Sequence, residues 1–335
     1  MIPLDYRRAA SAGEAVALVS GHPGARFVAG GSNLVDHLKL GVASPSMLVD
    51  VSGLPLDTIE ERAGEGTSDP VLRIGANVRN SDMAAHRVVR SRFPVVARAL
   101  LAGASGQIRN QATTAGNLLQ RTRCVYFQDV TTPCNKREPG SGCSALDGYG
   151  RYNAILGASA ACVTTHPSDL AVALAAVDAE VVVLGSEGER RIAFEDLHRL
   201  PGDRPDLDTT LAPEELVLAV ELPLGHAAET STYAKVRDRA SYAFALVSVA
   251  AVLRLDGDRV GEVRLAWGGV AHKPWRARRA EAALAGAVLD EESVRAAVDE
   301  ELLAATVTEE TAYKVAMVRN ATTATLLRLA EEAAR

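Results

Sequence analysis

The chain has 335 residues, of which 47% are hydrophobic and 23% charged, so it is long enough for two or three domains with ordinary globular cores. Its formal net charge of −6, without a long basic run, argues against nucleic acid as a partner. The first twenty residues show no signal-type apolar region, and no stretch of about 18 apolar residues occurs, so we expect neither an export signal nor membrane insertion.

The N-terminal part of the chain alternates between helical and extended patterns. Ser11 followed by Glu14 fits a capping box and opens a helix that Pro23 would stop. Residues 47–51 and 71–78 have the composition and alternation of strands. These patterns predict a mixed α and β architecture from the start of the chain.

Regular patterns return after the middle of the chain, with one hairpin signal at Asp256-Gly257. Helices are predicted over residues 93–101, 169–177 and about Glu309 to Ala334, and strands over residues 180–184, 216–222, 245–255 and 260–267. We place one domain boundary near residue 228, with a domain of residues 1–228 before it and a smaller α+β domain of residues 229–335 after it.

Two glycine-rich loops stand out in the first domain. Gly30-Gly31-Ser32-Asn33 lies between a strand and a helix, so its N–H groups and the Ser32 hydroxyl are suited to face an anionic phosphate. A left-handed turn that merely needs glycine is the alternative. The second segment, residues 105–119, is too polar and glycine-rich for plain core. Two such loops together suggest a cradle for an extended dinucleotide.

All four cysteines of the chain, Cys124, Cys134, Cys143 and Cys162, fall in one stretch without periodicity. Isolated cysteines are usually small buried hydrophobic residues, but this clustering favours a joint role. Two disulfides are disfavoured because no export signal is found. Structural zinc normally shows C-x(2-4)-C pairs, and none occurs here. A four-thiolate iron-sulfur cluster tolerates looser spacing and would order the stretch, so elimination favours it.

Hydrolytic chemistry has no support in the sequence. Neither Ser32 nor Ser105 has the G-x-S-x-G elbow of a serine nucleophile. No two of the seven histidines are spaced four apart as zinc ligands on a helix would be. His166, near the last cysteine, is interpreted as a capping or packing residue.

The ordered set of loops resembles the FAD-binding subunits of the molybdenum hydroxylases, the xanthine dehydrogenase and aldehyde oxidoreductase family. The resemblance rests on residues 29–34 (AGGSNL), 106–110 (GQIRN), 115–117 (AGN) and 168–170 (SDL), and it covers essentially the whole chain. It implies an α+β fold with a two-lobed FAD-binding domain of the vanillyl-alcohol-oxidase/PCMH type, with lobes of about residues 1–55 and 56–228. A smaller C-terminal domain of the CO-dehydrogenase-flavoprotein type would follow.

The same resemblance implies a role for each loop. Residues 28–34 would line the pyrophosphate of FAD, and Asp169 would bind sugar or ribityl hydroxyls. Leu218 would lie by the isoalloxazine and Lys235 near its polar edge. The full set of implied cofactor-binding residues is Val28, Ala29, Gly30, Gly31, Ser32, Asn33, Leu34, Ala104, Ser105, Gly106, Ile108, Arg109, Ala112, Thr113, Gly116, Asn117, Leu119, Ser168, Asp169, Leu170, Leu218 and Lys235.

About 50 residues separate Asn117 from Ser168, whereas many family members have a short interval there. The excess is the cysteine insertion, about residues 120–165. It is similar to the insertions of bacterial three-subunit aldehyde oxidoreductases, whose flavin subunit binds a 4Fe-4S cluster. The resemblance therefore implies that Cys124, Cys134, Cys143 and Cys162 ligate one 4Fe-4S cluster. Four cations near these cysteines would either raise the cluster potential or form a solvated face; they are Arg121, Arg123, Lys136 and Arg137.

In this interpretation the chain carries no substrate chemistry of its own. A large molybdenum-cofactor subunit would hydroxylate substrate, and a small 2Fe-2S subunit would pass electrons to the FAD, in a heterotrimer or a dimer of heterotrimers. The expected location is the cytoplasm, or the periplasm by export with a signal-bearing partner. Two rival interpretations are a self-contained FAD-dependent reductase and a non-redox zinc scaffold.

Overall fold

The computed structural model describes residues 3–64, 70–225 and 228–333. These residues form three sheets with helices packed against them, so the predicted α+β class is confirmed. None of the described helices has both the length and the apolar character needed to span a bilayer.

The first sheet is parallel and small. Its elements are β1 (Asp5–Arg8), α1 (Ala12–Gly21), β2 (Arg26–Val28), α2 (Leu34–Leu40) and β3 (Met47–Asp50), with strand order β1-β3-β2. The side chain of Ser11 caps α1 by accepting from the Glu14 N–H at 3.1 Å. The Glu14 carboxylate accepts from Ala10 N–H rather than from Ser11 N–H, so the predicted capping box is displaced by one residue.

The second sheet is antiparallel, with strand order β4-β5-β8-β6-β7. Its strands and the helices between them are, in chain order, β4 (Ile59–Ala63), β5 (Pro70–Gly75), α3 (Asn80–Ala85), α4 (Arg87–Arg92), α5 (Pro94–Ala102), α6 (Gly106–Gln111), α7 (Thr114–Leu118), α8 (Val125–Gln128), α9 (Asp169–Ala176), β6 (Glu180–Gly185), β7 (Gly188–Ala193), α10 (Phe194–Leu197) and β8 (Leu216–Pro223). Proline at the first position of α5 fits the helix start, because that N–H needs no partner.

The third sheet carries the predicted hairpin. Its elements are β9 (Ser231–Val236), β10 (Val247–Asp256), β11 (Arg259–Gly268), β12 (Trp275–Arg276), α11 (Arg278–Leu284), α12 (Glu291–Leu302) and α13 (Tyr313–Ala333), with strand order β12-β11-β10-β9. Helix α13 begins four positions after the predicted Glu309, because Thr308 and Thr311 close a separate turn in front of it. The predicted end at Ala334 lies outside the described residues.

Helix α9 joins the second sheet to the third. All its residues from Leu170 to Ala176 are buried, because α5 packs on one side and β10 and β11 on the other. The start of α9 therefore lies where the two domains meet. The three sheets fall within residues 5–50, 59–223 and 231–276, and the division at about 55 and 228 stays a prediction.

The cysteine insertion contains little regular structure, as predicted. Between α7 and α9 it has only α8 and three isolated strand-type pairs, Cys134 with Cys143, Ser159 with Cys162, and Leu156 with Ala271 outside the insertion. One side chain, Asn135, ties its loops together. The Asn135 Oδ1 accepts from Gly140 and Gly142 N–H at 3.1 and 2.9 Å, and its Nδ2 donates to the Ala161 carbonyl at 3.0 Å.

The second half of the insertion is bonded to the third sheet. The N–H groups of Ile155 and Leu156 donate to the Val270 carbonyl. Lys314, fully buried in α13, donates from Nζ to the Asn153 carbonyl at 2.8 Å and to the Gly269 carbonyl at 2.7 Å. Burial lowers the pKa of Lys314 to about 7. The C-terminal domain thus forms one wall of the insertion.

Candidate functional site

The first glycine loop leaves a row of main-chain donors free. Within the described part of the chain, the N–H groups of Gly30, Gly31, Ser32 and Asn33 donate to no protein acceptor. Ser32 is exposed, and Gly31 has a φ of +70°, which a residue with a side chain rarely adopts. Unpaired main-chain donors gathered in one turn are suited to an anionic group such as a phosphate.

The two glycine loops touch each other. Gln111 Nε2 donates to the Gly30 carbonyl at 3.1 Å. A Cβ at Gly30 would lie 2.3 Å from the Gln111 carbonyl oxygen, so only glycine permits this approach. The loops therefore form one continuous surface, as expected for a dinucleotide cradle.

Short helices with side-chain caps build the second loop. Ser105 caps α6 by accepting from Ile108 N–H at 3.3 Å, and Thr113 caps α7 by accepting from Gly116 N–H at 3.2 Å. Ala104 enters α6 at a φ of +53°, an uncommon conformation for a residue other than glycine. Two of the polar residues that led us to predict a binding site in this segment, Ser105 and Thr113, therefore serve as helix caps.

A hydrogen bond links this loop to the start of α9. The Ser168 hydroxyl donates to Asn117 Oδ1 at 2.6 Å and accepts from Ala171 N–H at 3.0 Å, which caps α9. Ser168 and Asp169 also line a large cavity of about 380 Å³. The predicted loops and the SDL motif therefore belong to one continuous region.

Asp169 is the centre of a half-buried polar cluster. Its Oδ1 accepts from the Tyr233 hydroxyl at 2.5 Å, and its Oδ2 pairs with Lys235 Nζ at 2.7 Å. Burial and the Asp169 carboxylate raise the pKa of Tyr233 well above its usual value, so the hydroxyl stays a donor. The side chain of Lys235 is only 4% exposed, so the ion pair holds Asp169 in a fixed orientation.

A cavity of about 380 Å³ lies where the insertion, the start of α9 and the third sheet meet. Aromatic side chains form much of its wall, namely Tyr126, Tyr149, Tyr152 and Phe244. Two residues that line this cavity each have a buried nitrogen without a hydrogen-bond partner. These atoms are Arg123 Nη1 and His166 Nε2. Such orphaned donors usually mark a place where another molecule supplies the acceptor.

His166 has the packing and capping contacts predicted from the sequence. Its Nδ1 accepts from Ser168 N–H at 3.3 Å, and its ring packs edge-on against His198 with centroids 4.4 Å apart. Burial, with a smaller effect from His198, lowers its pKa well below the usual value. The imidazole is therefore neutral at pH 7.

A second, smaller cavity is lined by all four cysteines. The four thiols are free of disulfides, and burial raises the pKa of Cys162 to about 11. Within the described residues, no group of three or more His, Cys, Asp or Glu side chains is arranged to hold a single metal ion. Both cavities share four lining residues, Thr122, Cys124, Tyr126 and Thr164.

The cations near the cysteines do not form a solvated face, so that alternative is wrong. Lys136 is 2% exposed and pairs with Asp208, which also pairs with Arg121 at 2.5 Å. Arg137 donates to the main-chain carbonyls of residues 126, 127 and 132. These side chains hold the insertion together, because buried cations need paired acceptors.

Some predicted residues lie apart from the cavities. Leu218 was expected beside the isoalloxazine, but its side chain is buried in the core shared with the first sheet and lines neither cavity. Leu170 is a core residue of α9. Lys235 stands behind Asp169 and does not line the cavity wall. The roles of these three residues stay predictions.

The sequence patterns missed other contributors. Gln111, Tyr233, Asp208 and Phe244 carry no motif, and three-dimensional proximity alone brings them to the site. The charged Asp208 lies 72 positions along the chain from Lys136, the residue of the insertion with which it pairs. The sequence feature that could have indicated the aromatic cavity wall is the tyrosine content of the insertion. It contains Tyr126, Tyr149 and Tyr152 in a chain with few aromatic residues.

Fold and site together define an FAD-binding flavoprotein of two domains. Residues 2–225 match the FAD binding domain in molybdopterin dehydrogenase, and residues 231–331 match the CO dehydrogenase flavoprotein C-terminal domain. The chain belongs to this family, the FAD-binding medium subunits of the molybdenum hydroxylases, and is an oxidoreductase subunit. The predicted family and fold class are confirmed.

Individual relatives agree with this assignment. The chain is 54% identical to the aldehyde oxidoreductase FAD-binding subunit PaoB of Escherichia coli, covering 85% of this chain and 86% of that protein. It is 28% identical to the glyceraldehyde dehydrogenase medium chain of Sulfolobus acidocaldarius, covering 87% and 84%. Its fold is similar to that in carbon monoxide dehydrogenase of Hydrogenophaga pseudoflava, with a TM-score of 0.74, 26% identity and 97% of each chain covered.

Proposed function

We propose that this chain is the FAD- and 4Fe-4S-binding electron-transfer subunit of a molybdenum-cofactor aldehyde oxidoreductase or xanthine dehydrogenase-type complex. The observation that carries the proposal is the shared wall of the two cavities. Cys124 lines both of them, and the large cavity joins the glycine loops through Ser168 and Asn117. One chain thus offers adjoining places for a flavin and a cluster.

The residues present fit FAD. The free N–H groups of the first loop suit its pyrophosphate, and the aromatic cavity suits a planar ring system. Asp169 retains lone pairs for a hydroxyl of the ribityl chain, since each of its oxygens accepts one protein hydrogen bond. Arg123 Nη1 and His166 Nε2 supply two donors for polar ring atoms.

The four cysteines fit an iron-sulfur cluster better than a lone zinc ion. A tetrahedral zinc needs its ligands gathered around one point, whereas the thiolates of a cluster stand around a larger body. Here the thiols line a common cavity without being arranged around a single ion. Because ligand thiols must lose their protons, and burial disfavours this for Cys162, cluster binding would be coupled to proton release.

The residues of this chain would bind FAD, orient it and shield its ring from water. The Asp169–Lys235 pair fixes the sugar-binding carboxylate, and the tyrosines of the insertion exclude water from the ring. When bound, FAD accepts electrons singly and releases them singly or in pairs. The chain contributes position and electrostatics, while substrate hydroxylation belongs to another subunit.

The relatives carry names that suggest the partners. One is called an FAD-binding subunit and another a medium chain, which supports a large molybdenum subunit and a small 2Fe-2S subunit for this chain as well. The complex would be a heterotrimer or a dimer of heterotrimers. The cytoplasm remains the expected location, with co-export to the periplasm as the alternative.

Cofactor analysis tests the proposal against its rivals. Anaerobically purified protein should contain one FAD and about four irons, with little zinc. FAD without iron would favour the self-contained reductase. Stoichiometric zinc without FAD would favour the scaffold.

Activity measurements test the subunit role. The chain alone, loaded with FAD and iron-sulfur cluster, should oxidise neither aldehydes nor purines with an artificial acceptor, whereas the three-subunit complex should oxidise its substrate. Turnover by the isolated chain at about 1 per second or more, a rate typical of enzymes, would show that it carries its own substrate site.

A further inference from the structure

Arg123 occupies an unusual electrostatic position. It immediately precedes Cys124, and its guanidinium lies over the Phe244 ring, 5.3 Å from the centroid. Its Nη1 is buried without a hydrogen-bond partner although the side chain lines the large cavity. Among the described residues, no carboxylate oxygen lies within ion-pair distance of it, and Asp36 acts on it only from further away.

The other cations near this cavity have protein acceptors, either carboxylates or, for Arg137 and Arg239, main-chain carbonyls. Arg121 and Lys136 share Asp208, Arg151 pairs with Asp238 at 2.7 Å, and Lys235 pairs with Asp169. Arg123 has only the face of an aromatic ring, which attracts the cation but accepts no ordinary hydrogen bond. A positive charge with a free donor is therefore built into the cavity wall.

A buried donor without an acceptor costs about 1–3 kcal/mol, and a charged one costs more. The cost is offset if a ligand brings an acceptor with negative charge. A bound flavin would do so in its two-electron reduced, singly protonated form, which carries one net negative charge on the pyrimidine side of the ring. Protein charge near that side tunes flavin chemistry.

We propose that Arg123 is a further flavin-binding residue, supplied by the cysteine insertion, whose guanidinium donates to the isoalloxazine and stabilises the negative charge of its reduced form. This inference rests on the proposed function. It explains why a cation without a counter-ion sits in this wall. It also gives the insertion a second task besides holding a cluster, because Arg123 is placed by the chain segment that places Cys124.

The test uses the full chain loaded with FAD, as wild type and as the variants Arg123→Gln and Arg123→Lys. Sulfite is the probe, since it adds to flavin N5 and leaves a negatively charged ring. Its dissociation constant should rise about tenfold or more in Arg123→Gln, the effect of one charge-assisted hydrogen bond. The flavin midpoint potential should fall in the same variant. Arg123→Lys keeps the charge and should recover most of both values.

Arg190→Gln is the matched control. Arg190 pairs with Glu215 on the surface and lines neither cavity, so its loss should leave sulfite affinity and potential unchanged. Unchanged values in Arg123→Gln with full FAD would overturn the proposal. Equal loss of FAD in Arg123→Gln and Arg123→Lys would overturn it as well, since shape rather than charge would then matter. A wild-type chain that binds no FAD would instead count against the proposed function.

Discussion

The second sheet and the cysteine insertion are stabilised in different ways. The sheet buries continuous apolar runs, such as residues 181–183 of β6 and 216–220 of β8, and its strands pair along their length. The insertion has one helix of four residues and depends on side chains that bond main-chain groups, above all Asn135 and Arg137. A region without periodicity can thus keep a defined structure when polar contacts replace a hydrophobic core.

The largest expected effect comes from removing one thiol of the insertion. Cys143→Ser should lower the iron content from about four per chain toward zero. Because cluster binding is coupled to folding of its ligand loops, residues 121–165 should become sensitive to protease while the sheets stay folded. Iron analysis and limited proteolysis measure both effects. In the full complex, substrate should still reduce the molybdenum site on the partner.

Thr131→Ala serves as the control for that variant, since Thr131 is exposed, lines neither cavity and donates only to Asp129. It should keep its iron. Full iron content in Cys143→Ser would remove Cys143 from the ligand set and weaken the contrast between the two regions.

Breaking the ion cluster at Asp208 tests whether paired charges stabilise the insertion. Asp208→Asn leaves Lys136, whose side chain is 1% exposed, without its counter-ion. Removing one partner of a buried pair costs about 3–5 kcal/mol. Urea unfolding at pH 7 should show this loss, whereas Asp206→Asn, which breaks an exposed pair with Arg204, should change stability by less than about 0.5 kcal/mol.

The Asp208 variant also predicts a pH dependence. Burial alone would raise the pKa of Asp208, but Lys136 and Arg121 outweigh it and hold the pKa well below its usual range. A depressed carboxyl pKa gives stability that is fully present above about pH 4 and is lost as the pH falls through the folded-state pKa. The stability difference between wild type and Asp208→Asn should therefore shrink below about pH 4. A constant difference down to pH 2 would contradict this.

Asp169→Ala tests the proposed flavin site, whose loops are supported by helices and strands rather than by the cysteine insertion. The loss of a charge-assisted acceptor should weaken FAD binding by about 1.5–3 kcal/mol. Flavin fluorescence gives the dissociation constant. Tyr233→Phe keeps the carboxylate and removes one donor to it, so it should cost less FAD affinity. Equal affinity in wild type and Asp169→Ala would refute the assigned role.

The smallest effect is expected from Gly30→Ala. The added Cβ would meet the Gln111 carbonyl at 2.3 Å and push the two loops apart, at a cost of about 1–3 kcal/mol. FAD affinity should fall in parallel. Gly13→Ala in α1 meets no atom within 4 Å and should be neutral or slightly stabilising. Equal behaviour of the two variants would show that the loops do not need their close approach.

Periodic segments could be predicted from the sequence, and contacts between distant segments could not. The helix from Asp169 and the hairpin around Gly257 lie within a few residues of their expected bounds, because local patterns determine them. The glycine loops were found because their composition is unusual. Lys235 was expected near the flavin, and that role stays a prediction; its ion pair with Asp169 could not be foreseen, since it depends on how β9 meets α9. The expected place of Leu218 beside the isoalloxazine likewise stays a prediction, and its side chain is buried in the core shared with the first sheet.

The cysteine insertion shows both what could and what could not be predicted from the sequence. Their clustering in sequence predicted a joint role, and the structure brings all four to one cavity. The sequence did not reveal, however, which distant residues contact the insertion. Asp208 and Lys314, which hold the insertion from outside, belong to segments far along the chain and carry no recognisable motif.

The bonds from Lys314 to the insertion also set a sequence of events during synthesis. The ribosome releases the four cysteines well before residues 269 and 314, which close the second half of the insertion. Domains fold as they emerge, at about 5–20 residues per second, so the first domain spends several seconds with its cysteine loops open on one side. The proposed cluster would therefore be inserted most readily before α13 is synthesised, because the bonds from Lys314 then close this side of the insertion.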